Sequence, residues 1–166
     1  MQLFRAAWLL PITDPPIRDG VVAVSGQRVV WRGGAGDPGR PDGELRDLGE
    51  GVLLPGLVNA HCHLELSHLS RLGERPPSAA AAFAPGGFVS WVEAVVASRG
   101  RHPESEIVAS ARKAIAALEA AGTAALGDVS NTLAHLDALR DSALHAVVFL
   151  ELLAWDPSRG GAPRAP

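Results

Sequence analysis

The stretch that most constrains this chain is Val52-Leu53-Leu54-Pro55-Gly56-Leu57-Val58-Asn59-Ala60-His61-Cys62-His63. It is a mostly apolar run, interrupted by Pro55-Gly56 and closed by two histidines two residues apart. A near-continuous apolar strand is what a sheet buried on both faces requires, and that means a parallel sheet covered by helices. In a strand, residues i and i+2 point to the same face. His61 and His63 are therefore expected to converge on one point just past the strand's C-terminal end. Neutral imidazole suits zinc, iron and similar divalent cations, so the pair reads as two candidate ligands of one metal ion. The other reading of a bare His-x-His is two polar residues in a loop.

The rest of the chain supplies the helices and further strands such a sheet needs. Phe88, Val92, Val95 and Val96 fall on one helical face, with Gly100 as a stop. Pro103 opens a longer helix with Ile107, Val108, Ala111, Ile115 and Leu118 on one face and Gly122 at its end. Thr123–Ser130 reads as a short buried strand. Asn131 is an N-cap for a helix through Leu133, Leu136 and Leu139. Ala146–Leu152 reads as a third buried strand, with His145 at its start. The alternation argues for an α/β fold with a parallel sheet. Residues 1–51 differ. Val21–Val24 and Arg28–Arg32 are β-branched runs joined by Ser25-Gly26-Gln27, so they read as a hairpin. The apolar run Ala6–Leu10 reads as a first strand rather than a leader, because Pro11 ends it with no cleavage site at the right distance.

Composition bounds the partners. The 166 residues carry 15 basic and 18 acidic side chains, a formal net charge of -3, so nothing pulls on phosphates and no nucleic acid is expected. The uncharged stretch from Pro76 to Val92 holds prolines, glycines and serines and reads as a loop entering a helix, so no membrane span is expected. Cys62 is the sole cysteine, which excludes a disulfide within the chain and fits a reducing, cytoplasmic compartment. After Trp155 the composition does not fold.

The stretch Asp47–Glu65 resembles the entry motif of the amidohydrolase superfamily: Pro55-Gly56, a short apolar strand, Asn59, then His61-Cys62-His63. The Asn-Ala-His-Cys-His-Leu-Glu form looks most like the chlorohydrolase, cytosine deaminase and aminodeoxyfutalosine deaminase branch. The preceding hairpins are similar to that family's N-terminal β-sandwich, and Gly122-Thr123 leading to Asp128 is similar to its second barrel strand. The resemblance implies a β-sandwich segment over 1–51, the first βα units of an incomplete TIM-type barrel of about three strands over 52–155, and an unstructured tail over 156–166. It implies metal-dependent hydrolysis of a carbon–nitrogen bond in a small-molecule substrate, a ring or amidine amine being displaced by metal-activated water. His61 and His63 match the two first-strand metal ligands, zinc before iron.

The family completes its site with residues from later strands. From Val52 onward there are 115 residues here, against roughly 250 for a whole barrel. The chain is thus expected to be the N-terminal portion of such an enzyme, without activity by itself. A truncated, non-catalytic module that self-associates as a homo-oligomer is the alternative. Four more residues are candidates for the substrate side. Glu65 either faces the substrate or is a solvated carboxylate after the strand. His68 either reaches the site or lies on the surface. Asp128 either lines the pocket or caps the following helix. Glu151, costly to bury unpaired in an apolar strand, needs a partner or a pocket position. Cys62 reads as small-residue packing, Trp91 as helix packing or part of a lid. His135 is expected on the exposed side of its helix, and His145 at the strand end opposite the site. A cupin-type β-barrel is excluded by the missing second histidine motif and the long helix after Pro103.

Overall fold

The computed structural model describes residues 1–69 and 101–152, with Val92, Val95, Val96 and Ser98 between them. Those four residues are helical, as expected for Val92, Val95 and Val96, whereas Phe88, the reading of Trp91 and the tail lie outside the described residues. The chain divides between Pro55 and Gly56 into two units.

In the first unit, β1 (Gln2–Leu9), β2 (Ile17–Ser25), β3 (Arg28–Gly34), β4 (Glu44–Asp47) and β5 (Val52–Leu53) form one mixed sheet. The order is β3-β2-β1-β4, and β5 also pairs with β1. The β2–β3 hairpin turns at Gly26, whose φ of 59° is one that glycine adopts without a Cβ penalty. Alternation sends Leu3, Val21 and Ala23 to one face, where they are buried with Trp31 and Ala35 against them. Within this unit a second sheet, which the expected sandwich needs, is not among the described residues. Val52 and Leu53 pair with β1 in parallel, so these two residues, read from the sequence as part of the barrel strand, belong to the first sheet. Proline and glycine at 55–56 separate two short strands that serve two different sheets.

In the second unit, β6 (Leu57–Cys62), β7 (Thr123–Ser130) and β8 (His145–Leu150) form a wholly parallel sheet in the order β6-β7-β8. A 3-10 turn (Leu64–Leu69) follows β6, α1 (Glu104–Ala120) precedes β7, and α2 (Leu136–Arg140) joins β7 to β8. Glu104 and Glu106 in the first turn of α1 complement the helix dipole, and Gly122, at φ 81°, lets the chain leave the helix for β7. Leu126 on β7 is buried with Ala111 and Ile115 of α1, Ala138 and Leu139 of α2, Leu64 and Leu144; Val148 packs against them. The opposite face presents Val147 and Phe149, 59% and 54% exposed. Here the fold is mixed α/β.

The helix expected to start at Asn131 starts instead at Leu136. Residues 131–133 are committed elsewhere: Asn131 Nδ2 donates to the Glu151 carbonyl at 2.6 Å, the Asn131 and Thr132 amides donate to Glu65, and Leu133 has a φ of 58°.

Candidate functional site

Because the three strands are parallel, their C-terminal ends lie along one edge of the sheet, and the candidate residues collect there. His61 and His63 stand at the end of β6 with ring centroids 5.0 Å apart and planes at 74°. Strict strand alternation is not what brings them together. Asn59 pairs with Leu126 and Cys62 with Asp128, so three steps on β6 answer two on β7, a bulge that contains His61. The Asn59 side-chain oxygen accepts the His61 N–H at 3.3 Å across it. His61 is exposed and His63 half-buried. His63 Nδ1 is buried with no hydrogen-bond partner among the described residues.

Two imidazoles bound through nitrogen at roughly 2.1 Å and a tetrahedral angle put their ring centroids about 5 Å apart. The observed spacing and the unpartnered nitrogen fit two ligands of one ion. A catalytic zinc site has three protein ligands. Among the described residues no group of three histidine, cysteine or carboxylate side chains is placed to hold a metal, so the pair fits as part of a site.

Glu65, one turn on, is buried, which removes the solvated reading. Its carboxylate accepts four hydrogen bonds from the chain that leaves β7: Ser130 Oγ at 2.8 Å, the Asn131 N–H at 2.9 Å, and the Thr132 N–H and hydroxyl at 3.0 and 2.8 Å. Burial pushes its carboxyl up, but these donors together outweigh burial and hold it below the usual glutamate range. His68 is half-buried, with Nδ1 2.7 Å from the Glu65 carbonyl oxygen and its ring against His102. Glu65 and His68 line a small cleft with His102, Ile107 and Thr132.

Asp128 is fully buried. It does not cap α2, which has no side-chain cap. Its Oδ1 accepts the Leu64 N–H at 2.8 Å and the Cys62 thiol at 3.7 Å, and its Oδ2 accepts from His135 Nε2 at 2.7 Å. Burial raises its carboxyl and is outweighed by the His135 and Leu64 hydrogen bonds, so it too lies below its ordinary value. Burial, then the Asp128 charge, push the Cys62 thiol up to about 11, in keeping with a packing role. Glu151 follows β8 rather than lying within it; it is half-buried, with its Oε2 3.3 Å from Asn131 Nδ2. His145 begins β8, at the far end from the site, as expected.

His135 corrects the sequence reading. It is wholly buried against Asp128, not exposed. A charged partner seven residues away leaves no periodic mark. The one available signal was its setting, Leu133-Ala134-His135-Leu136, where a solvated face would carry more polar residues.

No family model matches the chain. Residues of the chain are 34% identical over 102 positions to an adenosine deaminase of Helicobacter pylori, covering 61% of the chain and 22% of that protein. A 5-methylthioadenosine/S-adenosylhomocysteine deaminase of Moorella thermoacetica is 31% identical over 150 residues, 87% of the chain and 31% of its own length. The crystal structure of atrazine chlorohydrolase from Arthrobacter aurescens, complexed with zinc, superposes at a TM-score of 0.70 with 20% identity, covering 99% of the chain and 38% of the enzyme. The chain belongs to the amidohydrolase superfamily. It corresponds to the N-terminal part of that superfamily's members, and spans less than a third of the length of these two curated relatives. The curated relatives it matches are named as deaminases, and the chlorohydrolase is a neighbour in fold. No helix among the described residues is long and apolar enough to cross a membrane.

Proposed function

We propose that this chain supplies the opening metal-binding segment of a zinc-dependent deaminase, iron being the second choice of metal. The substrate class is a small molecule with an amine on a ring or amidine carbon, of the kind the relatives' names describe. The observation that carries the reading is the His61–His63 pair, spaced for one ion and including a buried nitrogen that lacks a partner among the described residues. His61 and His63 would hold the metal. A divalent cation held there would supply a water acidic enough, near neutral pH, to displace an amine from the substrate carbon, with ammonia as the leaving group. Asn59 fixes the His61 backbone, and Glu65 anchors the turn after His63 to the end of β7. His68, which lines the small cleft with Glu65, is the residue we assign to substrate contact. Glu151, past the end of β8 and paired with Asn131, is placed on the same edge.

The three parallel strands are read as the opening strands of a (β/α)8 barrel, whose active sites lie at the C-terminal strand ends. That is the edge at which His61, His63 and Glu151 gather. The missing ligands then belong to strands that follow, in a cytoplasmic enzyme. A second reading, a self-associating chain without catalysis, is favoured by one observation: Val58, Val147 and Phe149 are large apolar side chains that remain 70%, 59% and 54% exposed.

The test is ammonia release from adenosine and 5′-methylthioadenosine by a longer protein that carries residues 1–152. Replacing both histidines, His61→Ala with His63→Ala, is expected to abolish turnover. Unaltered turnover sinks the site, and a defined dimer of an inactive protein favours the second reading.

A further inference from the structure

The backbone ladder between β6 and β7 ends at the pair Cys62–Asp128. His63 lies beyond it, where no strand pairing sets its position. The next fixed point is a side chain: Asp128 Oδ1 accepts the Leu64 N–H at 2.8 Å and the Cys62 thiol at 3.7 Å. One oxygen thus holds both sequence neighbours of His63. The other oxygen, Oδ2, is held by His135 Nε2 at 2.7 Å, and neither residue reaches solvent. An apolar side chain at 128 would fill the space, and burying a carboxylate there is costly. It would also leave the buried Leu64 N–H without an acceptor. What the carboxylate adds is a fixed place for the segment that carries His63, whose own Nδ1 is buried and has no partner among the described residues.

We propose that Asp128 is a positioning residue for the metal pair: it brackets His63 from both sides, and His135, through the other oxygen, fixes the orientation of Asp128. This rests on the reading of His61 and His63 as metal ligands. The device is a relay of position from the start of α2, through the end of β7, to the end of β6. Residues that orient metal ligands from outside the first coordination sphere are worth about tenfold to a hundredfold in metal affinity. Asp128 belongs to that group although it does not touch the metal.

The experiment is a zinc chloride titration of the 166-residue chain, followed by the ring resonances of His61 and His63, with hydrogen exchange of the Leu64 amide measured on the same samples. Wild type is compared with Asp128→Ala, Asp128→Asn and the double variant His61→Ala with His63→Ala, each at a temperature where it is folded. Asp128→Ala is expected to weaken zinc binding at least about tenfold and to speed Leu64 exchange. Asp128→Asn keeps an oxygen for the Leu64 N–H, so both readouts should fall between wild type and alanine. The asparagine variant carries the test if the alanine variant does not fold. A variant that exchanges Leu64 faster but binds zinc as wild type does overturns the positioning role and leaves the metal pair standing. If the double histidine variant binds zinc as well as wild type does, the metal reading fails and the positioning role falls with it.

Discussion

At the scale of single residues, the site edge is organised by two buried carboxylates with different surroundings. Glu65 is held by four neutral donors, Asp128 by a backbone amide, a thiol and an imidazole. For Glu65 the consequence is a pH dependence with a definite sign. Its folded-state pKa lies below the unfolded value, so the folded state keeps the charge to lower pH than the unfolded chain does. Its contribution is complete above the unfolded pKa of roughly 4.3 and is lost as pH falls through the folded value. Glu65→Gln should therefore cost about 2 kcal/mol at pH 7, because one amide cannot satisfy the same four donors. The gap from wild type should narrow below about pH 4.3. Urea unfolding at pH 7, 5 and 3.5 measures it, and a gap that widens on acidification contradicts the assignment.

At the scale of elements, close approach of strands is as specific as the polar contacts. A Cβ on Gly127, in the middle of β7, would stand 2.6 Å from the Ala60 carbonyl oxygen, a backbone atom of β6 that has little room to give. Gly127→Ala should push β6 away from β7 and lower stability by about 2 kcal/mol, read by thermal unfolding. A variant as stable as wild type would mean that β6 and β7 pair less closely than described. The elements show which sequence signals decide structure. The hairpin of β2 and β3, the long helix α1 and strand β7 were legible because each has its own period and its own stop. Val52-Leu53 was not, because hydropathy cannot tell a strand of one sheet from a strand of the next; only Pro55-Gly56 marks the change. The start of α2 was misplaced because Asn131, a good N-cap by type, bonds to Glu151 instead. The rings of His61 and His63 stand 5.0 Å apart, and a bulge rather than the alternation expected from the sequence sets that geometry. The roles of Asp128 and His135 depend on contacts between elements far apart in the chain, which no local pattern records.

At the scale of the molecule, a sheet of three parallel strands carries its chemistry on one edge and leaves one face apolar and exposed. The chain matches the N-terminal part of longer hydrolases. On the proposed reading, further strands of a longer protein cover the exposed face and bring further ligands to the edge. The proposal that His61 and His63 bind one metal ion can be tested on the chain itself. The direct measurement is anomalous diffraction at the zinc edge from crystals of the chain grown with zinc chloride. One peak is expected within bonding distance of a ring nitrogen of each histidine, roughly 2.1 Å. Zinc bound elsewhere, or bound to one of the two rings and not the other, would contradict it.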